Sequence, residues 1–269
     1  MGRPAQKGHV QLGHHARLGQ VFLVDRNIAR KEAMFAKGKR VIEFGTGTGI
    51  LTEELSKEAS FVLSVEIDKK LFERASHVLN YSNLKIINAD FFDANIPAKD
   101  FDIFISNPPY YLSKKVISWL SKNRMPALIC IQKEFAEKLG AKPGGTKYTA
   151  ISVISALSFS MQKIASVKRH MFRPVPKVDS VLLSLEPMEC VPAQEILSVI
   201  ALLMEHSKNT IRKAVYYVAK QYTGTAREAK EIQSEINAPE ARVSSIPPEQ
   251  LAEIASELCK LCSIHLHKE

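Results

Sequence analysis

The chain has 269 residues, 45% of them hydrophobic, with 37 Lys and Arg against 28 Asp and Glu, which gives a formal net charge of +9. This length and apolar content exclude general disorder and allow one or two domains. No apolar run approaches the roughly 20 residues that span a bilayer, and no signal-peptide pattern is present, so a soluble cytoplasmic protein is expected. The basic excess favours a polyanionic partner such as nucleic acid.

Residues 1–19 have no apolar period and are predicted to form a mobile basic arm. From Arg40 onward, apolar runs alternate with helical patterns, and these runs are RVIEF, FVLSVEI, LKIINAD, DIFISN and ALICIQ. Such alternation predicts βαβ units and a mainly parallel sheet. Two further β-like runs, LSFSMQKIASV and SVLLSLEP, follow a helix near residues 147–157 and have no long helix between them. They predict an antiparallel pair that completes a seven-stranded sheet.

After Pro187 no strand-like run remains, and the apolar residues recur at helical spacing, which predicts three or four helices. The chain is therefore expected to consist of an α/β domain over residues 1–187 and a small all-α domain over residues 188–269. Cys259 and Cys262 have a zinc-like spacing, but they lie within a helical pattern and lack a second pair. No metal site is predicted.

A glycine-rich loop lies between the first predicted strand and a helix that begins near Ile50. It contains Gly45, Gly47 and Gly49, and glycine lets the backbone turn tightly and approach a ligand closely. Glu66 ends the second strand, where an acid accepts hydrogen bonds from ribose hydroxyls in folds of this kind. The spacing is Gly-x-Gly-x-Gly rather than Gly-x-Gly-x-x-Gly, which disfavours a dinucleotide site without excluding it.

Two more polar residues follow strands at the same predicted edge. Asp90 ends the third strand, where its carboxylate is suited to accept from an adenine amine. Asn107 ends the fourth strand and begins the tetrapeptide NPPY, which is typical of S-adenosylmethionine-dependent enzymes that methylate planar amines. The prolines fix two φ angles, so the chain after Asn107 is a rigid corner that cannot continue the sheet.

The chemistry of amine methylation explains why these residue types suit such a site. The lone pair of an aromatic amine is spread into the ring, so methylation requires that the pair be localised. The side-chain oxygen of Asn107 and the carbonyl of Pro108 can each accept one N–H bond and turn the lone pair toward the methyl donor. Tyr110 offers a flat face on which the base can stack, worth about 1–3 kcal/mol.

These motifs resemble those of the KsgA-type small-subunit rRNA adenine dimethyltransferases, over nearly the whole chain. LGQVFLVD is similar to the entry motif of that family, and FRPVPKVDSVLLSL is similar to its Phe-x-Pro-x-Pro-x-Val-x-Ser segment. KNTIRKAV and ARVSSIPPEQLAEIA resemble family patterns in the helical tail. The resemblance implies a Rossmann-like, S-adenosylmethionine-dependent methyltransferase domain followed by a helical RNA-binding domain.

The resemblance also implies the reaction: two methyl groups are transferred to the exocyclic amine of each of two adjacent adenosines near the 3′ end of small-subunit rRNA. The expected partner is that rRNA or an immature small subunit, bound by a monomer during subunit maturation. The target base is expected between Tyr110 and Phe172, with Asn107 and Pro108 orienting its amine. The implied cofactor contacts are Val21, Leu23, Gly45, Gly47, Glu66, Asp90 and Asn107.

Two departures from the family pattern leave alternatives open. Val21 stands where Asn or His is usual, so only a backbone contact is expected there. Pro108 replaces the usual Leu or Ile, as in methyltransferases that act on DNA adenine or on protein glutamine. Those enzymes form one alternative, and a non-catalytic RNA-binding assembly factor forms another. The retained glycine loop, Glu66 and Asn107 argue against the second alternative.

Overall fold

The computed structural model describes residues 21–266, with side chains described through residue 263. The strands of this range all lie before residue 188 and are interspersed with helices, and the elements after the last strand are helical. The basic arm predicted for residues 1–19 lies outside the described residues. Within residues 21–266, no helix is both long and apolar enough to cross a membrane.

Seven strands of the described chain form one sheet, and two short strands form a second. The strands are β1 (Phe22–Leu23), β2 (Arg40–Phe44), β3 (Phe61–Glu66), β4 (Leu84–Asn88), β5 (Ile103–Ser106), β6 (Ala127–Gln132), β7 (Phe159–Val167), β8 (Phe172–Arg173) and β9 (Ser180–Pro187). The large sheet has the order β4-β3-β2-β5-β6-β9-β7. β4, β3, β2, β5 and β6 are parallel, and β9 is antiparallel to both β6 and β7. The predicted seven-stranded Rossmann-like sheet is confirmed.

The strand order reverses at β2, because β3 and β4 lie on one side of it and β5 lies on the other. Open α/β sheets bind ligands beyond the carboxyl ends of the strands at such a switch point. Successive side chains of β2 enter different cores: Val41 packs with one apolar cluster and Ile42 with another, and both are fully buried. A sheet covered on both faces explains why its strands have near-continuous apolar sequences.

The helices of the described chain alternate with the strands up to β7 and then follow one another. They are α1 (Arg26–Ala33), α2 (Ile50–Glu58), α3 (Lys69–Val78), α4 (Ser113–Asn123), α5 (Lys133–Leu139), α6 (Ala150–Ser158), α7 (Gln194–Glu205), α8 (Ile211–Thr223), α9 (Ala226–Glu235) and α10 (Pro248–Leu266). Asp25 and Asp68 cap α1 and α3, each accepting two backbone N–H bonds at the helix start. These caps explain where both helices begin.

The two short strands join distant parts of the sequence. β1 pairs with β8 in antiparallel register, with Phe22 opposite Arg173 and Leu23 opposite Phe172. The next backbone N–H, that of Val24, donates to the carbonyl of Met171 at 2.8 Å. This pairing fixes the segment before α1 against the loop between β7 and β9, close to the carboxyl ends of the strands.

The four helices after β9 share an apolar core with residues from before the last strand. The buried side chains of α7, α8, α9 and α10 pack with Tyr148 and with Val153 of α6. The Tyr148 hydroxyl also donates to the carbonyl of Ile246 at 2.9 Å. The prediction of helices after Pro187 is thus confirmed. The boundary between two domains at residues 187 and 188 stays a prediction.

Candidate active site

The glycine loop joins β2 to α2 and turns through left-handed backbone conformations. Gly45 has φ +86° and Gly47 has φ +56°, and residues other than glycine rarely adopt such backbone angles. The N–H of Gly45 donates to the carbonyl of Val65 at 2.8 Å, which binds the loop to the end of β3. A Cβ atom at Gly47 would lie 3.0 Å from the Phe22 ring, so a side chain at this position would require the ring to shift.

Glu66 ends β3 beside this loop and is 2% exposed. One carboxylate oxygen accepts from the N–H of Gly47 at 2.8 Å, and the other accepts from the N–H of Asp68 at 2.9 Å. Burial raises the pKa of Glu66, and these backbone hydrogen bonds oppose the rise. Each oxygen has a second lone pair, so the carboxylate can still accept from the hydroxyls of a ribose.

Asp90 follows β4 at the same edge of the sheet. Its Oδ1 accepts from the N–H of Phe92 at 2.8 Å, which orients the carboxylate from its own backbone. Asp90 lines the same cavity as Glu66. The structure therefore brings together the ends of β2, β3 and β4, as the sequence predicts.

Asn107 comes directly after β5, which lies on the other side of β2. The preceding residue, Ser106, is fully buried and donates from its hydroxyl to the carbonyl of Phe44 at 2.6 Å, so the ends of β5 and β2 are fixed together. The Oδ1 atom of Asn107 is buried and has no hydrogen-bond partner. A buried acceptor without a partner costs free energy, and a ligand that donates a hydrogen bond removes that cost.

A cavity of about 290 Å³ lies over these four strand ends. Six of the predicted site residues line it, namely Val21, Gly45, Gly47, Glu66, Asp90 and Asn107. Leu23 instead lines a smaller adjoining cavity beneath the glycine loop, to which Asn107 also contributes. The Leu23 side chain is 5% exposed and belongs to the core, so it contributes to the smaller cavity and not to the larger one.

The cavity has apolar walls that the sequence interpretation did not identify. Ile67 is 57% exposed although it directly follows a buried strand residue, and Tyr111 is 64% exposed. Both line the cavity. The position of Ile67, directly after the acid that ends a strand, is a signal in the sequence for an apolar side chain that faces a ligand. No comparable local pattern identifies Tyr111. The other apolar and cationic lining residues are Phe22, Phe44, Phe91, Phe92, Leu112 and Lys115.

The NPPY corner places its residues unequally around the cavity. Pro109 lines it, whereas Pro108 is buried behind it and Tyr110 is half-buried outside its lining. The Tyr110 hydroxyl bonds the Ser180 hydroxyl at 2.7 Å, which holds the phenol ring. Burial raises the pKa of Tyr110 to about 12, so the phenol stays neutral at physiological pH.

The predicted position of Phe172 as an open stacking face is wrong in this structure. Its side chain is 1% exposed and lies in the same apolar cluster as Leu23, and it does not line the cavity. The reason is the pairing of β8 with β1, which the sequence interpretation lacked. Of the two aromatic faces expected around a base, only that of Tyr110 is not in the core.

These residues fit S-adenosylmethionine. Glu66 and Asp90 offer carboxylate acceptors for ribose and adenine, and the open space at Gly45 lets a ligand approach the backbone. Val21 lines both cavities. Among the described residues, no cluster of His, Cys, Asp and Glu is arranged to hold a metal ion. Cys262 is buried, and burial raises the pKa of its thiol to about 11.

Glu66→Ala is expected to weaken S-adenosylmethionine binding by about 10- to 100-fold, because a charge-assisted acceptor is lost and the Gly47 N–H is left without its partner. Titration calorimetry measures the change. Glu66→Gln is the matched control, since it keeps one acceptor oxygen, and it should bind more tightly than the alanine variant. Unchanged affinity in Glu66→Ala, with the protein folded, would show that the cofactor lies elsewhere.

Comparisons with known proteins agree with this arrangement. Residues 12–260 match the family model described as ribosomal RNA adenine dimethylase. A protein of Methanopyrus kandleri named "Probable ribosomal RNA small subunit methyltransferase A" is 32% identical over 256 residues, covering 90% of this chain and 91% of the relative. A protein of the same name from Thermococcus gammatolerans is 31% identical over 247 residues, covering 88% and 86%.

Two solved structures are similar over most of the chain. A dimethyladenosine transferase from Plasmodium falciparum superposes with a TM-score of 0.72 at 22% identity, covering 89% of this chain and 98% of the other. The 23S rRNA methyltransferase ErmE superposes with a TM-score of 0.59 at 26% identity, covering 88% and 99%. The first likeness concerns the fold.

Proposed function

Because the chain belongs to the ribosomal RNA adenine dimethylase family, we propose that it dimethylates the exocyclic amines of two adjacent adenosines near the 3′ end of small-subunit rRNA. The enzyme is an S-adenosylmethionine-dependent rRNA adenine methyltransferase. The small-subunit assignment is supported by relatives of that name that match nearly the full chain. The observation that carries the proposal is the buried, unpartnered Oδ1 of Asn107 beside a cavity with two carboxylates.

The residues of the NPPY corner activate the amine by orientation. S-adenosylmethionine, when bound, would supply an electrophilic methyl group, and breaking its carbon–sulfur bond would leave the neutral thioether S-adenosylhomocysteine. Before the first transfer, Asn107 Oδ1 and the carbonyl of Pro108 accept the two N–H bonds of the amine, so that its lone pair is localised and points away from the acceptors. The nitrogen loses one N–H proton to solvent with each transfer, so one N–H bond remains for an acceptor in the second. Pro108 and Pro109 keep the acceptors in place, and the bond from Ser106 to Phe44 anchors the corner to the sheet.

The base itself needs a flat surface beside the corner. We assign this role to Tyr110, whose ring is held by the hydroxyl bond to Ser180. Stacking on one aromatic face contributes about 1–3 kcal/mol and tolerates any base, so the amine acceptors must provide the selectivity for adenine. Phe172 has no part in this step, because its ring is in the core.

The substrate is tested by incubation with labelled S-adenosylmethionine and three acceptors: immature small subunits, naked small-subunit rRNA and DNA. We expect dimethyladenosine in the digested rRNA by mass spectrometry, at two adjacent positions. Asn107→Ala serves as the control. Preferential labelling of DNA or of protein glutamine would favour a methyltransferase that acts on DNA adenine or protein glutamine. No labelling of any acceptor would favour a non-catalytic assembly factor.

RNA binding is assigned to exposed basic residues on the β7–β9 region and the helical region. Eight basic positions in these two regions are exposed: Lys163, Lys168, Arg169, Arg173, Lys177, Lys208, Arg212 and Lys213. Lys168 forms an ion pair with Asp179 at 3.0 Å. A monomer is the proposed active form.

RNA affinity is expected to fall linearly with salt on logarithmic axes, because phosphate contacts release counterions. Removing Arg169 and Lys177 together should reduce the slope by roughly 0.7 per contact for single-stranded RNA. The matched control is Lys37→Ala with Lys39→Ala, which makes the same charge change just before β2, at the amino end of the sheet. Equal slopes in both double variants would contradict the assignment, as would a flat salt dependence in the unmodified protein.

A further inference from the structure

Glu32 is a carboxyl group buried without an ordinary stabilising partner. It lies on the inward face of α1, its side chain is 0% exposed, and neither carboxyl oxygen has a hydrogen bond of ordinary geometry. None of the described ion pairs includes Glu32. Burial of such a group costs several kcal/mol of stability, and an apolar side chain at this position would avoid that cost. A buried residue that lowers stability in this way calls for a functional explanation.

The side chain that faces Glu32 is that of Asn107. Burial raises the pKa of Glu32 to about 8, and an interaction with the Asn107 side chain opposes this rise. The other titratable groups near it are Glu43 of β2 and Cys130 of β6. Glu43 is itself held by the Thr52 hydroxyl at 2.7 Å. Glu32 and Asn107 thus meet behind the cavity, each with an unpartnered oxygen.

Amide orientation is the property of Asn107 that packing alone does not determine. The oxygen and nitrogen of the amide have nearly the same size, and the terminal torsion of Asn is broad and roughly two-fold. A flipped amide presents N–H groups to the target amine, which is also a donor, and the two repel. A fixed acceptor on the far side of Nδ2 removes this ambiguity. A carboxyl group provides such an acceptor whether it is protonated or ionised.

We propose that Glu32 is a positioning residue for methyl transfer, whose carboxyl accepts a hydrogen bond from Nδ2 of Asn107 and so keeps Oδ1 directed toward the target amine. The inference rests on the proposed function for its catalytic consequence, but the proposed pairing of the two buried side chains involves no RNA atom, so it can be tested without substrate. It explains why a buried carboxyl stands behind the NPPY corner at a cost in stability. Glu32 contacts no reacting atom, so its effect passes entirely through Asn107.

The test uses Glu32→Leu, which removes the acceptor and fills the space with apolar atoms. We expect kcat to fall by about 10- to 100-fold, since small displacements of a positioning group cost that much. The KM for RNA and the affinity for S-adenosylmethionine should change less than about two-fold. The melting temperature should rise, because the buried carboxyl is gone. Glu32→Gln keeps an acceptor oxygen and should recover kcat to within about five-fold of the unmodified protein.

A second readout needs no substrate. In a protein labelled with ¹⁵N at asparagine, the Asn107 side-chain signal is assigned by its loss in Asn107→Ala. Its amide protons should exchange with water more slowly than those of exposed Asn27, and this protection should disappear in Glu32→Leu and persist in Glu32→Gln. If the leucine variant does not fold, the signal of the unmodified protein decides: exchange as fast as that of Asn27 would overturn the proposal.

Glu54→Gln is the matched control, because Glu54 is also a buried carboxyl beside α1 but forms an ion pair with Arg26 at 3.0 Å and does not line either cavity. It should lower the melting temperature and leave kcat and the Asn107 signal unchanged. Unchanged kcat and unchanged exchange in Glu32→Leu would overturn the proposal. Absence of rRNA methylation in the unmodified protein would overturn the proposed function alone, because the exchange measurement still decides the contact.

Discussion

Asn107→Ala is expected to remove methyl transfer from a protein that still folds. The substitution deletes Oδ1, the acceptor that we assign to the target amine. The loss of one preorganised polar group from an active site costs on the order of 10²- to 10³-fold in kcat. The fold should survive, because Oδ1 has no hydrogen-bond partner within the protein and the side chain lines a cavity. The bond from Nδ2 to Glu32 that we propose above would be lost together with Oδ1.

Turnover of labelled methyl groups on small-subunit RNA measures this effect, with the melting temperature recorded beside it. S-adenosylmethionine affinity separates the two roles of the residue. A modest loss of affinity with a large loss of kcat fits an acceptor for the amine, whereas a loss of affinity that accounts for the whole effect fits a cofactor contact alone. Near-normal turnover in the purified variant would contradict the proposed role.

Most of the sheet was predictable because each strand is a short apolar run with clear ends. The runs RVIEF, ALICIQ and SVLLSLEP coincide with β2, β6 and β9 as observed. A parallel strand is buried on both faces, so its sequence is apolar throughout, and the polar residues that follow it mark the edge where ligands bind. This local signal located Glu66, Asp90 and Asn107 in one cavity without any structure.

The pairing of β1 with β8 could not be predicted in the same way. Each strand has two residues, too few for any periodicity, and their partners are about 150 positions apart in the sequence. That pairing places Phe172 in the core, and it also holds Val21 and Phe22 against the glycine loop. The exposure of Tyr111 could not be predicted for a similar reason, because it depends on how the rigid NPPY corner meets α4.

The burial of polar side chains was the second feature that the sequence did not predict. Glu32 belongs to a helix whose sequence, RNIARKEA, is polar enough to suggest a solvated surface. Only the structure shows that this particular acid is fully buried and interacts with Asn107. The sequence can therefore indicate which residues meet a ligand, since they follow strands, but not which residues support them from behind.

Phe172→Ala is expected to destabilise the protein by about 3–5 kcal/mol, the usual cost of removing a buried phenylalanine ring. The ring is 1% exposed and packs in a cluster that includes Leu23, Leu55, Ile105 and Leu182. At roughly 2 °C per kcal/mol for a chain of this size, the melting temperature should fall by about 6–10 °C. Turnover per folded molecule, measured well below the transition, should be largely preserved.

Phe172→Leu provides the control for this prediction, because leucine refills most of the cavity with apolar atoms and should recover much of the lost stability. The comparison distinguishes two roles for the ring. A core residue loses stability in proportion to the volume removed, and its effect on turnover follows the folded fraction. A stacking residue loses turnover in both variants, since leucine has no aromatic face, while the melting temperature hardly changes. The second result would return Phe172 to the base-binding site and would require β8 to separate from β1 when RNA binds.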